Sequence, residues 1–268
     1  MRKNRCIWGA LLAFIVSIGA APAAQAADAL TVVQTGVPDS TRTAIPADEY
    51  VMTFYEMGLL ASPTAPAFVS DNLDLSSAVK VFESTGGVAV SIQNGVPSSL
   101  AGMISRPPDG TYHYAYAVIQ PLITLRASAR ENSAAGTARY STNNSTDTVY
   151  GTYFAAGDVS GVALEQSLTS FDGIAGNDMD NENSVGSGTL YSFLTEAPSG
   201  GIYPKGDATP TKLVGIFKIG GASGVVITSS STTLNLSMNV SEGAQALIVD
   251  EEIVGFLSAP PSMTFDVR

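Results

Sequence analysis

Along most of the chain apolar and polar residues alternate in short runs, and clusters of Gly, Pro, Asn, Asp and Ser separate the runs. Period two places successive side chains on opposite faces of a strand, so the pattern predicts strand after strand and few helices. The clearest case is Thr111–Ile119. Tyr112, Tyr114, Tyr116 and Val118 fall on one side, and Thr111, His113, Ala115 and Ala117 on the other. Such a strand half-covers a core with its rings and leaves the hydroxyls at the rim; the sharper alternative is an aromatic platform for a ligand. In Thr232–Val240, Leu234, Leu236, Met238 and Val240 alternate with Asn235, Ser237 and Asn239, one face for a core and one for water. Further strands are expected at Leu30–Thr35, Glu49–Ala61, Val79–Glu83, Val88–Gln93, onward from Ile119 to Ala127, Thr148–Ala155, Val162–Ser170, Thr189–Thr195, Lys212–Ile219, Gly224–Thr228, Ala246–Val249 and Met263–Val267. Leu73–Val79 reads as a short turn of helix, and Ile248–Leu257 fits either state.

This many strands in one chain predicts an all-β fold, an antiparallel β-sandwich or jelly-roll-like arrangement. No fixed-period repeat suggests a propeller or solenoid. Two polar stretches, Ser128–Asp147 and Phe171–Gly188, bury little apolar area and are expected as long surface loops. No linker forces a division, so residues 27–268 are read as one sandwich domain.

The first 26 residues follow a different pattern. Arg2, Lys3 and Arg5 precede an apolar run from Ile7 to Ala21, and Ala24-Gln25-Ala26 supplies a small-x-small cleavage site. These are the parts of a cleavable secretory signal, and the run is shorter than the ~20 residues a spanning helix needs. Cys6 precedes the apolar segment, whereas a lipoprotein cysteine follows it. The protein is therefore expected to be secreted, at the cell surface or in the periplasm, without membrane insertion once the signal is removed. The form of the signal suggests a bacterial source.

Cleavage would remove the one Cys and the one Trp, so no disulfide could brace the remaining sandwich. It would also remove three basic and no acidic residues, leaving 10 Lys and Arg against 24 Asp and Glu, a net charge of −14. That balance excludes nucleic acid and anionic membrane surfaces as favoured partners and leaves divalent cations as the favoured ones.

Around Arg106-Pro107-Pro108-Asp109-Gly110-Thr111-Tyr112, Pro108 and Gly110 set a turn and Tyr112 begins a strand. The segment resembles the turn-into-strand signature of prealbumin-like extracellular β-sandwich domains, with Asp109 inserted between proline and glycine. The resemblance spans about twenty residues and implies a non-enzymatic surface role, as spacer, adhesin module or pilus component.

Candidate chemistry is sparse. His113 is the one histidine and has no GxSxG elbow to partner it, which argues against a nucleophilic triad and against zinc. Ser77-Ala78-Val79-Lys80 fits S-x-x-K but lacks the companion Lys-Thr-Gly. Gly220–Gly224 lacks phosphate-loop spacing and reads as a hairpin connection. The best cluster of hard oxygen ligands is Asp172, Asp178, Asp180 and Glu182, a calcium inventory without the spacing of an EF-hand.

No catalytic residue is assigned, although a carboxylate-dependent hydrolase needs only two facing acids. The composition points first to a non-enzymatic structural protein of a fibre, layer or extracellular matrix, or an adhesin component. It would self-assemble or meet other surface proteins through terminal strands such as Leu30–Val33 and Met263–Val267. The alternative is an exported binding module for calcium or a carbohydrate.

Overall fold

The computed structural model describes residues 17–18, 32–34, 41–92, 98–99, 102–133, 136–142, 163–169, 171, 179–185, 188–207, 209–231, 233–249 and 252–268. Every regular element among them is a strand, so the all-β expectation holds. The organising strand is Ala47–Leu60, in which Tyr50, Met52 and Phe54 alternate into the core at period two. Val79–Ile92 borders it along one edge. Its other edge is shared in sequence by Leu122–Ser133, through Val51 opposite Thr124, and by Tyr114–Ile119, through Gly58 opposite Tyr116. From Tyr114–Ile119 the sheet continues antiparallel through Lys212–Lys218, Gly188–Thr195 and Asp180–Val185. The sheet curls into a half-barrel, as twisted sheets of many strands do.

Smaller sheets cover both of its faces. Inside the curl lie the pair Leu234–Asn239 and Ser262–Val267, and the three strands Thr41–Ile45, Ala244–Val249 and Glu252–Ser258. Their apolar residues, including Leu236, Met238, Ala246 and Phe256, join one core with Met52, Phe54 and Ala115. Outside lies a ribbon of Phe68–Val69, Asn72–Asp74 and Ile202–Pro204. It closes a second core, in which Leu73 and Tyr203 meet Tyr114, Tyr116 and Phe193. Gly201 makes that closure possible: its φ is +84°, and a Cβ there would sit 2.8 Å from the Ser76 Cα.

Several sequence expectations change. Thr111–Ala127 is not one strand, because the chain breaks at His113 and turns at Gln120-Pro121. Gly110–Tyr112 pairs with Val225–Ile227, whereas Tyr114–Ile119 pairs with Lys212–Lys218. The change of partner puts Tyr112 in the inner core with Ala115 and Ala117, while Tyr114 and Tyr116 enter the outer one. Val79–Glu83 and the described part of Val88–Gln93 belong to one strand, Val79–Ile92, and the register shift between Phe54 and Glu56 absorbs the intervening Ser84-Thr85-Gly86-Gly87.

Leu73–Val79 is no helix. Asp74 accepts the Ser76 amide at 2.8 Å and the Ala78 amide reaches Leu75 O at 2.9 Å, a turn closed by a local side-chain acceptor. The polar stretch from Ser128 is a hairpin as far as Ser141, because backbone pairing does not require apolar side chains. In Phe171–Gly188, residues 180–185 form the sheet's outermost strand, paired with Gly188–Thr195. Residues 143–147 and 172–178, and the strand expected at Thr148–Ala155, lie outside the described residues.

Two pairings among the described residues are parallel. Val32–Gln34 lies beside Arg130–Asn132, and Ile18, within the expected leader, pairs with Leu236. Ser262–Val267 pairs back onto Leu234–Asn239. Both terminal strands singled out from the sequence therefore have a partner in their own chain.

Candidate binding site

The inner face of the half-barrel is not filled. Hydrogen-bond register aligns Asn181 with Ser192, Ser192 with Gly215, and Gly215 with Ala117 across four neighbouring strands. All four line a cavity of about 340 Å³, within the size range of small-molecule pockets. The row creates the space, since short side chains at facing positions cannot reach the opposite layer. At Gly215 even a Cβ would meet only Leu190, at 3.5 Å. Tyr50, Met52, Phe54, Ile119 and Leu213 complete the apolar wall, and Met238 and Met263 close the other side. The methionines are flexible enough to repack around an occupant.

The mouth is fixed by hydrogen bonds. The Tyr50 hydroxyl donates to Ala259 O at 3.0 Å. The Gln166 amide donates to Phe256 O at 2.8 Å and accepts from the Ser258 amide at 2.6 Å. Together with Pro260-Pro261 these contacts hold the segment after Glu252–Ser258 as a stiff lip. Burial raises the Tyr50 pKa above its ordinary value, so the hydroxyl stays a neutral donor. Arg42, Gln245 and Leu257 stand on one face of the three-stranded inner sheet, because Ala44, Gln245 and Leu257 pair directly and Arg42 lies two residues from Ala44.

The opposite face of the main sheet carries the polar chemistry. Tyr116 lies over Gly58, where a Cβ would fall 2.4 Å from the ring, and its hydroxyl donates to Glu56 Oε1 at 2.6 Å. Lys80 Nζ approaches Glu56 Oε2 at 2.7 Å and Glu83 Oε1 at 3.0 Å. Burial pulls the Lys80 pKa down, but hydrogen bonding and attraction to the two carboxylates outweigh it and the net shift is upward. Burial and then Glu56 raise Tyr116, and burial raises Tyr203. Lys212 sits 3.2 Å from the Tyr55 ring centroid, and desolvation lowers its pKa. The lysine of S-x-x-K is thus held as an ion pair, which suits it to neutralise a buried acid rather than to take a proton from Ser77.

Of the four calcium ligands read from the sequence, two fall among the described residues. Asp180 and Glu182 are exposed, on the same side of an outer strand, and Asp172 and Asp178 lie outside the described residues. No cluster of three or more His, Cys, Asp or Glu suited to a metal occurs among those described. His113 is half-buried, with its amide bound to Leu60 O and its carbonyl to Ile219 N. In the turn Arg106–Tyr112, Arg106 binds Asp109 at 2.5 Å and Thr228 O at 2.6 Å. The Tyr112 hydroxyl there returns to Pro108 O at 3.0 Å.

Sequence reading missed the cavity. Its one local signal was the small face of Thr111–Ile119, visible as Ala115 and Ala117. Comparison with protein-family models, curated proteins and solved structures gives no match, so the reading of the site rests on its own geometry.

Proposed function

We propose that the protein is an exported β-sandwich that binds a small, largely apolar molecule between its sheets. The observation that carries this reading is the in-register row Asn181, Ser192, Gly215 and Ala117, which clears space inside an otherwise packed core. An apolar hollow of this size leaves its walls without packing partners, and one Leu or Val in the row would reduce it. The neutral fluorophore N-phenyl-1-naphthylamine is a suitable probe. Purified protein should bind it saturably, and Gly215→Leu, which fills the cavity, should abolish binding while leaving near-ultraviolet circular dichroism unchanged. Equal binding by both proteins would remove the reading.

A second reading, assembly through strands into a surface layer or fibre, draws on the slot beside Leu234–Asn239. Ser17–Ile18 occupies it, between that strand and Ser98–Ser99. Removal of the expected leader would free this edge for a strand of another chain. Electron microscopy of residues 27–268 at rising concentration tests it, since dispersed particles throughout would exclude such assembly.

A further inference from the structure

Resting on the binding reading above, we infer that the ligand is an amphiphile whose apolar body fills the cavity and whose single anionic head, a carboxylate, lies at Arg42. Among the described residues Arg42 is the one charged residue lining the cavity, and it is exposed at the mouth. The surrounding chain is strongly acidic, so a lone cation at the opening of an apolar chamber creates a local field that the rest of the surface opposes. Arg106, Arg126 and Arg268 each lie within 4 Å of a carboxylate, whereas Arg42 forms no ion pair with any described residue. Its guanidinium fork matches a carboxylate in bidentate fashion, and the Gln245 amide on the same face adds a donor beside it. Gln166, the other amide at the mouth, is already committed to Phe256 and Ser258. Tyr50, Met52, Phe54 and Ala117 offer the body an uncharged wall. A cationic head would meet Arg42 with repulsion, and a neutral one would lack the charge-assisted bidentate pairing that a carboxylate makes with it.

Decanoate and decanol differ in the head alone and separate the two claims. At pH 8, decanoate below its micellar concentration and decanol below its solubility limit are each titrated against the full-length chain loaded with the neutral naphthylamine probe. The same titrations use Arg42→Gln and Gly215→Leu, with near-ultraviolet circular dichroism confirming the fold of each. Decanoate is expected to displace the probe at about tenfold lower concentration than decanol, the scale of one charge-assisted hydrogen bond. Arg42→Gln should erase that difference while decanol affinity stays as it was. Equal displacement by both compounds, unchanged in Arg42→Gln but lost in Gly215→Leu, would overturn the anionic head and leave the cavity reading intact. Failure of both compounds and the probe to bind, or binding untouched by Gly215→Leu, would overturn the cavity reading and the inference together.

Discussion

The two faces of Tyr114–Ile119 are used in opposite ways. Tyr114, Tyr116 and Val118 face outward into a closed layer, where the rings fill the space up to the ribbon and the Tyr116 hydroxyl reaches a buried acid. Ala115, Ala117 and Ile119 face inward, and at Ala117 the wall retreats into the cavity. One strand thus supplies bulk on one side and room on the other. Neighbouring positions in the chain supply packing and empty space separately, and a side chain added on the inner face has space that the outer face lacks.

The sharpest way to break this comparison is a pair of substitutions at adjacent residues. Tyr116→Ala should cost about 3–5 kcal/mol, the range for deleting a large buried ring, and it also strips Glu56 of a hydrogen bond. Ala117→Leu should change stability by less than about 1 kcal/mol, because the new atoms enter existing space. Urea denaturation of the two variants measures both, and equal losses would mean that the inner face is as tightly packed as the outer.

Alkaline titration comes next in size. Tyr50, Tyr116 and Tyr203 all have folded pKa values raised above the ordinary 10.0. Below that value both folded and unfolded chains hold these protons and stability is fully present. Above it the unfolded chain ionises first, so each tyrosine removes up to about 1.4 kcal/mol per pH unit. The thermal midpoint should fall steeply from pH 10 to 12, and Tyr203→Phe should make the fall shallower. A flat profile would show that these hydroxyls are not shielded. The smallest effect is expected at Gly215→Ala, which should stabilise by about 0.5 kcal/mol through reduced backbone entropy and cost little in contacts. A clear destabilisation by calorimetry would contradict the open floor at that position.

Much of the fold is legible locally. Leu234, Leu236 and Met238 are buried while Asn235, Ser237 and Asn239 are partly exposed, as alternation alone requires. The errors fall where tertiary pairing overrides local pattern. Ser84-Thr85-Gly86-Gly87 has the composition of a turn, yet it continues a strand because Ala47–Leu60 offers partners on both sides of it. The face of Tyr112 depends on a change of pairing at His113 that no short window contains. The site is less legible still. Ala117, Ser192 and Gly215 are ordinary small residues until register aligns them, and register is decided by contacts distant in sequence. Arg42 lies in a strand that the alternation did not mark, since Thr41–Ile45 has no clear apolar face.

The pairing of Tyr114–Ile119 with Lys212–Lys218 also governs when the molecule becomes itself. The two segments meet across about a hundred residues of intervening chain, and such distant closures slow folding. Until Lys218 has been made, Tyr114–Ile119 has only one of its two neighbours and the cavity lacks its floor. The strands that carry Met238 and Met263, which close the cavity's other side, follow Lys218 in the chain, so the chamber is complete only when nearly the whole sequence has been made.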